Sequence, residues 1–238
     1  MIAARLDKLL RLAVRPRLWP AAAAGAVPAL EHWPMFTGLT YDTVIDAGAH
    51  KGQFAAFALA RWPSAQLICF EPLSGPRAQL QRTLKRLAAP VRFEVRAKAL
   101  GSRPGEAQMH LASRTDSSSL LPLGAEQKRL FSMRETGVET VAVTRLEDEL
   151  PAADLGRTLL KIDVQGFELE VLKGAGALLG RIDTVYVECS YRALYEGQAL
   201  EEEITAFLSR AGFSPAAERR TAGTEEAPIQ ADRLYRGG

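Results

Sequence analysis

Strand-like and helix-like segments alternate along most of this chain, and this alternation constrains its fold more than any other feature. A buried strand is predicted at Thr43–Asp46 and a helix at Gly52–Arg61. The pair repeats as a strand at Gln66–Phe70 and a helix at Ser74–Leu87. Strands that alternate with helices form a mostly parallel sheet covered on both faces. The pattern therefore predicts a doubly wound α/β fold.

The later strands differ in how apolar they are. Residues 91–99 alternate apolar and polar side chains, which is typical of a strand at a sheet edge. Leu159–Ile162 and Thr184–Val187 are short aliphatic runs, as expected of central strands. The sheet is then completed at the end of the chain by a helix at Leu200–Ala211 and strands at Phe213–Ala216 and Ile229–Tyr235.

The segment 101–157 interrupts this alternation. It contains a strand pair, Ala107–Leu111 and Glu139–Val143, around a polar loop at Arg114–Ser119. Because a long insertion in a compact domain is more often functional than not, we expect this β excursion to border a functional site.

The first 40 residues are predicted to form a helical appendage to a domain at 41–238. Apolar residues within 2–14 recur at helical spacing, with Lys and Arg on the other side. A helix packed on the domain is the main interpretation, and peripheral contact of residues 1–19 with anionic lipid is the alternative. No stretch approaches the ~20 apolar residues that span a bilayer, so we expect no transmembrane segment.

Composition and charge exclude several classes of protein. The 47% apolar and 24% charged residues are ordinary for a globular protein. A net charge of +2, from 30 basic and 28 acidic side chains, gives no reason to expect nucleic-acid binding. The two cysteines, Cys69 and Cys189, lie in or just after apolar runs, so neither a disulfide framework nor a zinc site is predicted. We expect a cytoplasmic protein.

The segment 44–52 is the strongest local feature. A buried strand runs into Asp46, then into Gly48 and Gly52, and then into a helix. Gly48 allows a sharp turn and the close approach of a ligand to the backbone, and Gly52 allows close packing as the helix begins. Nucleotide-binding folds of many chemistries share such a turn, and Asp46 could also simply cap the helix.

Glu71, at the end of the next strand, narrows the choice of nucleotide. A carboxylate there can accept hydrogen bonds from both hydroxyls of a ribose. Dinucleotide-binding turns place a pyrophosphate on the glycines, whereas Asp46 lies two residues before Gly48 and would repel it. An acid at this position suits a cationic ligand such as the amino-acid end of S-adenosylmethionine.

Motifs over most of the chain resemble the FkbM-type methyltransferases, from about Glu31 to Arg236. The matching segments are Glu31-His32, I-D-A-G-A-H-K-G-Q-F (45–54), F-E-P-L (70–73), A-L-G (99–101), D-S-S-S-L-L-P (116–122), L-L-K-I-D-V-Q-G-F-E-L-E-V-L-K-G (159–174), V-E-C-S (187–190), L-Y-E-G-Q (194–198) and Q-A-D-R-L-Y-R (230–236). The segment 159–174 is the most specific of them.

The resemblance implies a Rossmann-like class I methyltransferase fold with a seven-stranded sheet, and O-methylation of a hydroxyl on a sugar or secondary metabolite. One departure is Ala49-His50, where the family often has Ala-Asn. The cofactor interpretation survives this change, but it gives no ground for a catalytic role of His50.

The resemblance also assigns residues to the cofactor. Asp46, Gly48 and Gly52 would hold the methionine portion, Glu71 the ribose, and residues near Lys98–Leu100 the adenine. The full set of expected cofactor residues is Asp46, Gly48, Ala49, His50, Gly52, Glu71, Pro72, Lys98, Ala99, Leu100 and Asp163.

Two acids are the candidates for catalysis. Asp163 follows the fourth strand of the main sheet and Glu188 ends the fifth, so both are expected at the ligand-binding edge. Asp163 could be a general base, a ligand of a substrate hydroxyl or a Mg²⁺ ligand, or could order its own turn. Because two acids fall short of an oxygen cage, we predict no metal site, although Mg²⁺ stays open.

The substrate-binding candidates are polar and aromatic. Asp116 and Ser117, Ser118 and Ser119 suit a sugar-like acceptor, although such residues are also ordinary in loops. Tyr191 and Tyr195 could line the pocket or the edge of the core. His32 and His110 are interpreted as structural or exposed, and no spacing to an acid marks a histidine as the base.

Two function classes stay open at this point. The leading one is an S-adenosylmethionine-dependent O-methyltransferase acting on a small-molecule or glycan acceptor. The rival is a non-catalytic cofactor-binding module that keeps the fold and serves in glycan or metabolite assembly. A nitrogen or carboxylate acceptor within the enzyme class is the third possibility.

Overall fold

The computed structural model describes residues 18–23, 25–87, 93–150 and 155–238. Its centre is a seven-stranded sheet in the order β3-β2-β1-β7-β8-β10-β9, and a three-stranded sheet has the order β4-β6-β5. Within the described part of the large sheet, β10 runs opposite to the other strands and pairs with β8 and β9. The predicted α/β class with a mostly parallel sheet is confirmed.

The strands follow the chain in order. They are β1 Thr43–Ala47, β2 Gln66–Phe70, β3 Phe93–Arg96, β4 Ala99–Leu100, β5 Gly105–Ala112, β6 Glu135–Thr144, β7 Thr158–Ile162, β8 Thr184–Ser190, β9 Phe213–Gly223 and β10 Pro228–Gly237.

The described helices fall between these strands. They are α1 Trp19–Ala23, α2 Gln53–Arg61, α3 Ser74–Leu87, α4 Ala125–Phe131, α5 Leu146–Glu149, α6 Glu168–Ala175 and α7 Glu201–Arg210, with 3-10 turns at Leu30–Phe36, Thr115–Ser117 and Gly176–Arg181.

Both faces of the large sheet are buried because its central strands are apolar on both sides. In β1, Ile45 packs into the core on the side of α6, while Val44 packs on the other side with Phe57 of α2. Alternate residues of a strand point to opposite faces, so one short run serves two cores. Burial on both faces explains why Val44, Ile45 and Ala47 of β1 are all apolar.

The segment 91–99 was expected to form a single strand, and this expectation is wrong. Only Phe93–Arg96 pair with β2, at the sheet edge as predicted, whereas 91 and 92 lie outside the described residues. Ala99 and Leu100 instead pair with Val143 and Thr144 of β6. The chain therefore passes from the large sheet to the small sheet between β3 and β4. The alternation of side chains does not reveal this change, because both strands have the same two-residue period.

The β excursion forms the small sheet. The predicted pair 107–111 and 139–143 is confirmed as antiparallel and extends to β5 and β6. His110 also forms a bridge with Ser119, which ties the loop between the two strands back onto β5. Residues of this loop are thereby held close to the large sheet.

The part of the N-terminal segment that the structure describes packs on the main domain. Phe36 is fully buried and lies edge-to-face with Trp62 and Tyr186. The helix predicted within residues 2–14 lies outside the described residues. Among the helices described above, none combines the length and the apolar character needed to cross a bilayer.

Candidate functional site

A cleft of about 440 Å³ opens at the carboxyl ends of the parallel strands. Open α/β sheets bind ligands at this edge, and a volume of this size suits a small molecule. Of the residues expected from the sequence, the lining includes Gly48, Ala49, His50, Glu71, Pro72, Lys98, Ala99, Leu100, Asp116, Ser117, Ser118, Asp163 and Glu188.

The turn after β1 is held by the two neighbouring strands. The N–H groups of Gly48 and Ala49 both donate to the carbonyl of Phe70 at the end of β2. Gly48 has φ +76°, and a Cβ there would lie 1.9 Å from the carbonyl oxygen of Asp163. The protein's own backbone therefore requires glycine at this position, in addition to any approach by a ligand.

Gly52 and His50 also adopt left-handed backbone conformations. Gly52 has φ +91°, and a Cβ there would lie 2.8 Å from Leu80 of α3, so it allows close helix packing as predicted and lies off the cleft surface. His50 has φ +46°. Asparagine and histidine are both enriched in this region among non-glycine residues. The left-handed conformation of the turn is therefore compatible with His50.

His50 connects three parts of the cleft. Its backbone N–H donates to Glu71, and its ring Nε2 lies 3.0 Å from the hydroxyl of Thr115. Burial lowers the pKa of His50. The ring of His50 thus links the turn after β1 to the polar loop Arg114–Ser119 of the β excursion.

Glu71 is buried beside this turn. One carboxylate oxygen accepts the N–H of His50 at 2.9 Å, and the other accepts the N–H of Leu73 at 2.8 Å. Burial raises the pKa of Glu71 to about 7, against the effect of these two donors. A carboxylate has about four acceptor sites, so each oxygen keeps capacity for a further donor from the cleft.

Asp46 has its partner within the protein and does not line the cleft. Strand register places it beside Lys161 of β7, and its Oδ1 lies 2.9 Å from the Lys161 Nζ. Both side chains are buried, and Lys161 also donates to the carbonyl of Gly48 at 3.0 Å. Burial raises the pKa of Asp46 against the attraction of Lys161. Lys161 has no sequence signal that marks it, because strand register cannot be deduced from spacing along the chain.

Asp163 and Glu188 lie together at the cleft. Asp163 directly follows β7 with 39% of its side chain exposed, whereas Glu188 lies within β8 and not at its end. The Asp163 Oδ2 is 3.9 Å from the Lys161 Nζ. Burial and the neighbouring carboxylates of Asp163 and Asp232 raise the pKa of Glu188 well above its ordinary value. The two acids therefore differ in exposure, and burial raises the pKa of Glu188.

A second polar group lies at the same edge. The His32 Nδ1 is 2.6 Å from the Tyr186 hydroxyl and 3.5 Å from Asp232, which pairs with Arg219. Burial raises the pKa of Asp232 to about 6. His32 lines the cleft, which the sequence did not predict, whereas His110 pairs with Glu135 at 3.1 Å on the small sheet.

The remaining candidates are divided between the cleft and its support. Asp116, Ser117 and Ser118 line the cleft, while Ser119 donates to the carbonyl of Gln165 beneath it. Tyr195 is buried behind the lining, so it supports the wall and offers no surface to a ligand.

Two further candidates, Tyr191 and Lys98, contact acidic side chains of the protein itself. The Tyr191 hydroxyl donates to Glu218, 3.1 Å away, and Tyr191 is not part of the lining. Lys98 lines the cleft while its Nζ lies 2.7 Å from Glu149. Next to it, Ala99 and Leu100 present an apolar surface.

Among the described residues, no group of three histidine, cysteine or acidic side chains is arranged to hold a metal ion. Asp163 and Glu188 instead share the amide of Gln165. The cleft thus brings together the buried carboxylate of Glu71, the turn after β1, and the acids Asp163 and Glu188.

Comparisons with known proteins agree with this geometry. The family model described as "Methyltransferase FkbM domain" matches residues 46–215. The 2-O-methyltransferase NoeI of Sinorhizobium fredii is 31% identical over 163 residues, which cover 65% of this chain and 66% of that protein. Methyltransferase sdnD of Sordaria araneosa is 29% identical over 212 residues, which cover 75% and 79%. The chain thus spans about two thirds of the length of the first relative.

Among solved structures, the fold is similar to that of a protein from Clostridium thermocellum described as an rRNA-methylase. The TM-score is 0.50 at 11% sequence identity, over 87% of this chain and 95% of that chain. At this identity the likeness concerns the fold alone.

Proposed function

The chain belongs to the FkbM family of S-adenosylmethionine-dependent methyltransferases, and from that premise we propose that it methylates a hydroxyl group of a sugar or a similarly polyhydroxylated metabolite. One observation carries the proposal: a single cleft joins Glu71 and the turn after β1 to the acids Asp163 and Glu188. S-adenosylmethionine supplies a methyl group activated by a sulfonium.

The cofactor end of the cleft fits a nucleoside. Glu71 keeps one free acceptor site on each oxygen, which suits two vicinal ribose hydroxyls. The apolar surface of Ala99 and Leu100 suits the adenine, and the backbone of Gly48 and Ala49 suits the methionine portion. In this proposal Asp46 acts on the turn through Lys161 and makes no direct contact with the cofactor.

The part of the cleft beside β8, β9 and β10 fits a hydroxylated acceptor. Amide and carboxyl groups of Gln165, Gln230 and Glu188 line it together with the hydroxyl of Thr221. These groups both donate and accept hydrogen bonds, as sugar hydroxyls require. The name of the relative NoeI, a 2-O-methyltransferase, supports an oxygen acceptor.

Asp163 is the proposed general base. It is the more exposed of the two acids, and its Oδ2 lies 3.9 Å from the Nζ of Lys161. As the acceptor oxygen forms its bond to the methyl carbon, the carbon–sulfur bond breaks with its electron pair on sulfur, and Asp163 takes the hydroxyl proton. The protein contributes mainly alignment and this proton transfer.

Calorimetric titration with S-adenosylmethionine, followed by detection of S-adenosylhomocysteine with a panel of hydroxylated, amino and carboxylate acceptors, tests the proposal. We expect cofactor binding and turnover with at least one sugar or polyol. Cofactor binding without turnover of any acceptor would favour a non-catalytic module. Turnover confined to amines or carboxylates would contradict the oxygen acceptor.

Replacing the proposed ribose ligand should weaken cofactor binding. We expect Glu71→Ala to cost about 1–3 kcal/mol of binding free energy, because charge-assisted hydrogen bonds to the ribose are lost. The matched control is Glu106→Ala, which replaces an exposed glutamate of β5 and should leave cofactor binding unchanged. Equal affinity of both variants in calorimetric titration would remove Glu71 from the ribose site.

Cofactor binding should also release protons. The pKa of Glu71 is raised to about 7 by burial, so a fraction of the carboxyl is protonated near neutral pH. Ribose hydroxyls that donate to the carboxylate favour its charged form and lower this pKa, so affinity should rise as the pH increases toward about 7. Titrations in two buffers of different ionisation enthalpy measure the release, and Glu71→Gln should abolish it.

We also propose a cytoplasmic location. Its support is that Cys69 and Cys189 are buried and free, as is usual for thiols in a reducing compartment.

A further inference from the structure

Gln165 lies in the turn after β7 with a left-handed backbone, at φ +58°. A non-glycine residue is disfavoured in this region, and such strain clusters at functional sites. Two neighbours support this conformation of Gln165. The Ser119 hydroxyl donates to its backbone carbonyl at 2.6 Å. Its side-chain Oε1 lies 2.8 Å from the Tyr195 hydroxyl, whose single proton is shared with the carbonyl of Ser117 at 2.9 Å.

The side-chain amide of Gln165 joins the two acids of the cleft. Its Nε2 donates to the Oδ1 of Asp163 at 2.7 Å and to the Oε2 of Glu188 at 3.2 Å. The same oxygen of Glu188 also accepts the amide of Gln230 at 3.1 Å. One nitrogen therefore lies within hydrogen-bond distance of both carboxylates, and both of its protons are used.

This geometry resembles the way a cation bridges two carboxylates. Two close carboxylates repel one another unless a proton, a cation or hydrogen-bond donors lie between them. Here the position between them holds an amide. The oxygen of this amide contacts the buried Tyr195 hydroxyl, which is shared with the carbonyl of Ser117.

We propose that Gln165 is a positioning residue whose amide takes the place of a bridging cation, so that Asp163 and Glu188 are held in a fixed arrangement without a metal ion. It acts through the two acids and does not itself accept the proton. The assignment of the acids to the acceptor rests on the proposed function, whereas the amide bridge is a property of the turn.

The first test shortens the amide. Gln165→Asn keeps a residue that adopts the left-handed conformation readily, but its amide is one methylene shorter and cannot bridge the two acids. We expect kcat to fall by about 10²-fold, with cofactor affinity and melting temperature close to wild type. Gln108→Asn, which shortens an exposed amide bonded to Thr140 on the small sheet, is the matched control.

The second test needs neither cofactor nor acceptor, so it survives a failure of the proposed function. Gln165→Glu puts a third carboxylate beside the other two, and three carboxylates favour a divalent cation. We expect this variant to bind Mn²⁺ at least about tenfold more tightly than wild type or Gln108→Glu does. Electron paramagnetic resonance measures the binding.

Two results would overturn the inference. One is wild-type kcat in Gln165→Asn while a hydroxylated acceptor is turned over. The other is equal Mn²⁺ affinity of Gln165→Glu and wild type in folded protein, as verified by thermal unfolding.

Discussion

Asp163→Asn is expected to lower kcat by about 10²–10⁴-fold, because an amide cannot take the proton of the acceptor hydroxyl. The substitution keeps the size of the side chain and leaves the backbone of Asp163 against Gly48 unchanged. Glu71 and the turn after β1 are untouched, so cofactor affinity should stay within about twofold of wild type, well below the loss expected when a charged hydrogen bond is removed.

Single-turnover kinetics with saturating S-adenosylmethionine, combined with calorimetric titration, separate the two effects. Asp148→Asn is the matched control, since Asp148 is exposed on α5 outside the lining of the cleft. Full turnover in Asp163→Asn would show that another group takes the proton. The His32–Asp232 pair is the next candidate for that role. A parallel loss of cofactor affinity would place Asp163 at the cofactor instead.

Lys161→Met is expected to destabilise the protein by about 3–5 kcal/mol, the typical cost of leaving one member of a buried ion pair alone. Asp46 has no exposed surface, and Lys161 is its ion-pair partner at 2.9 Å. Methionine has a similar length to lysine, so the expected loss reflects the missing charge more than a cavity.

Denaturant unfolding measures this loss, and a second variant assigns its cause. Combining Asp46→Asn with Lys161→Met removes both charges and should recover most of the stability. Lys173→Met breaks a surface pair with Glu170 and should cost less than about 1 kcal/mol. If the two lysine variants lost stability equally, the buried pair would not be the main contribution of Lys161.

The pH dependence of the Lys161→Met deficit follows from Asp46. Burial raises the pKa of Asp46 above its ordinary value in the folded protein. Without Lys161 this pKa rises further, so the unfolded chain releases its proton at a lower pH than the folded chain does. Folded stability then falls as the pH rises through this window, and the deficit should be smallest in acid.

The sequence by itself determined the architecture, and it predicted that Glu71 and the turn after β1 would lie at one cleft. The β1, β2, α2 and α3 segments were placed to within a residue, because uninterrupted apolar runs and glycine or proline boundaries are local signals. Glu71 and the turn after β1 followed from strand-end chemistry in the same way. The change of sheet between β3 and β4 was missed, because side-chain alternation does not say which strand is the partner.

Only the tertiary structure decided how the polar residues combine. Lys161 meets Asp46 because parallel register sets two distant strands side by side, and spacing along the chain contains no such register. Gln165 bridges Asp163 and Glu188 because β7 and β8 end at the same edge of the sheet. The Tyr195 hydroxyl contacts the oxygen of the Gln165 side-chain amide. Sequence patterns report how each segment folds locally, whereas pairing across segments depends on register and packing that the complete fold alone creates.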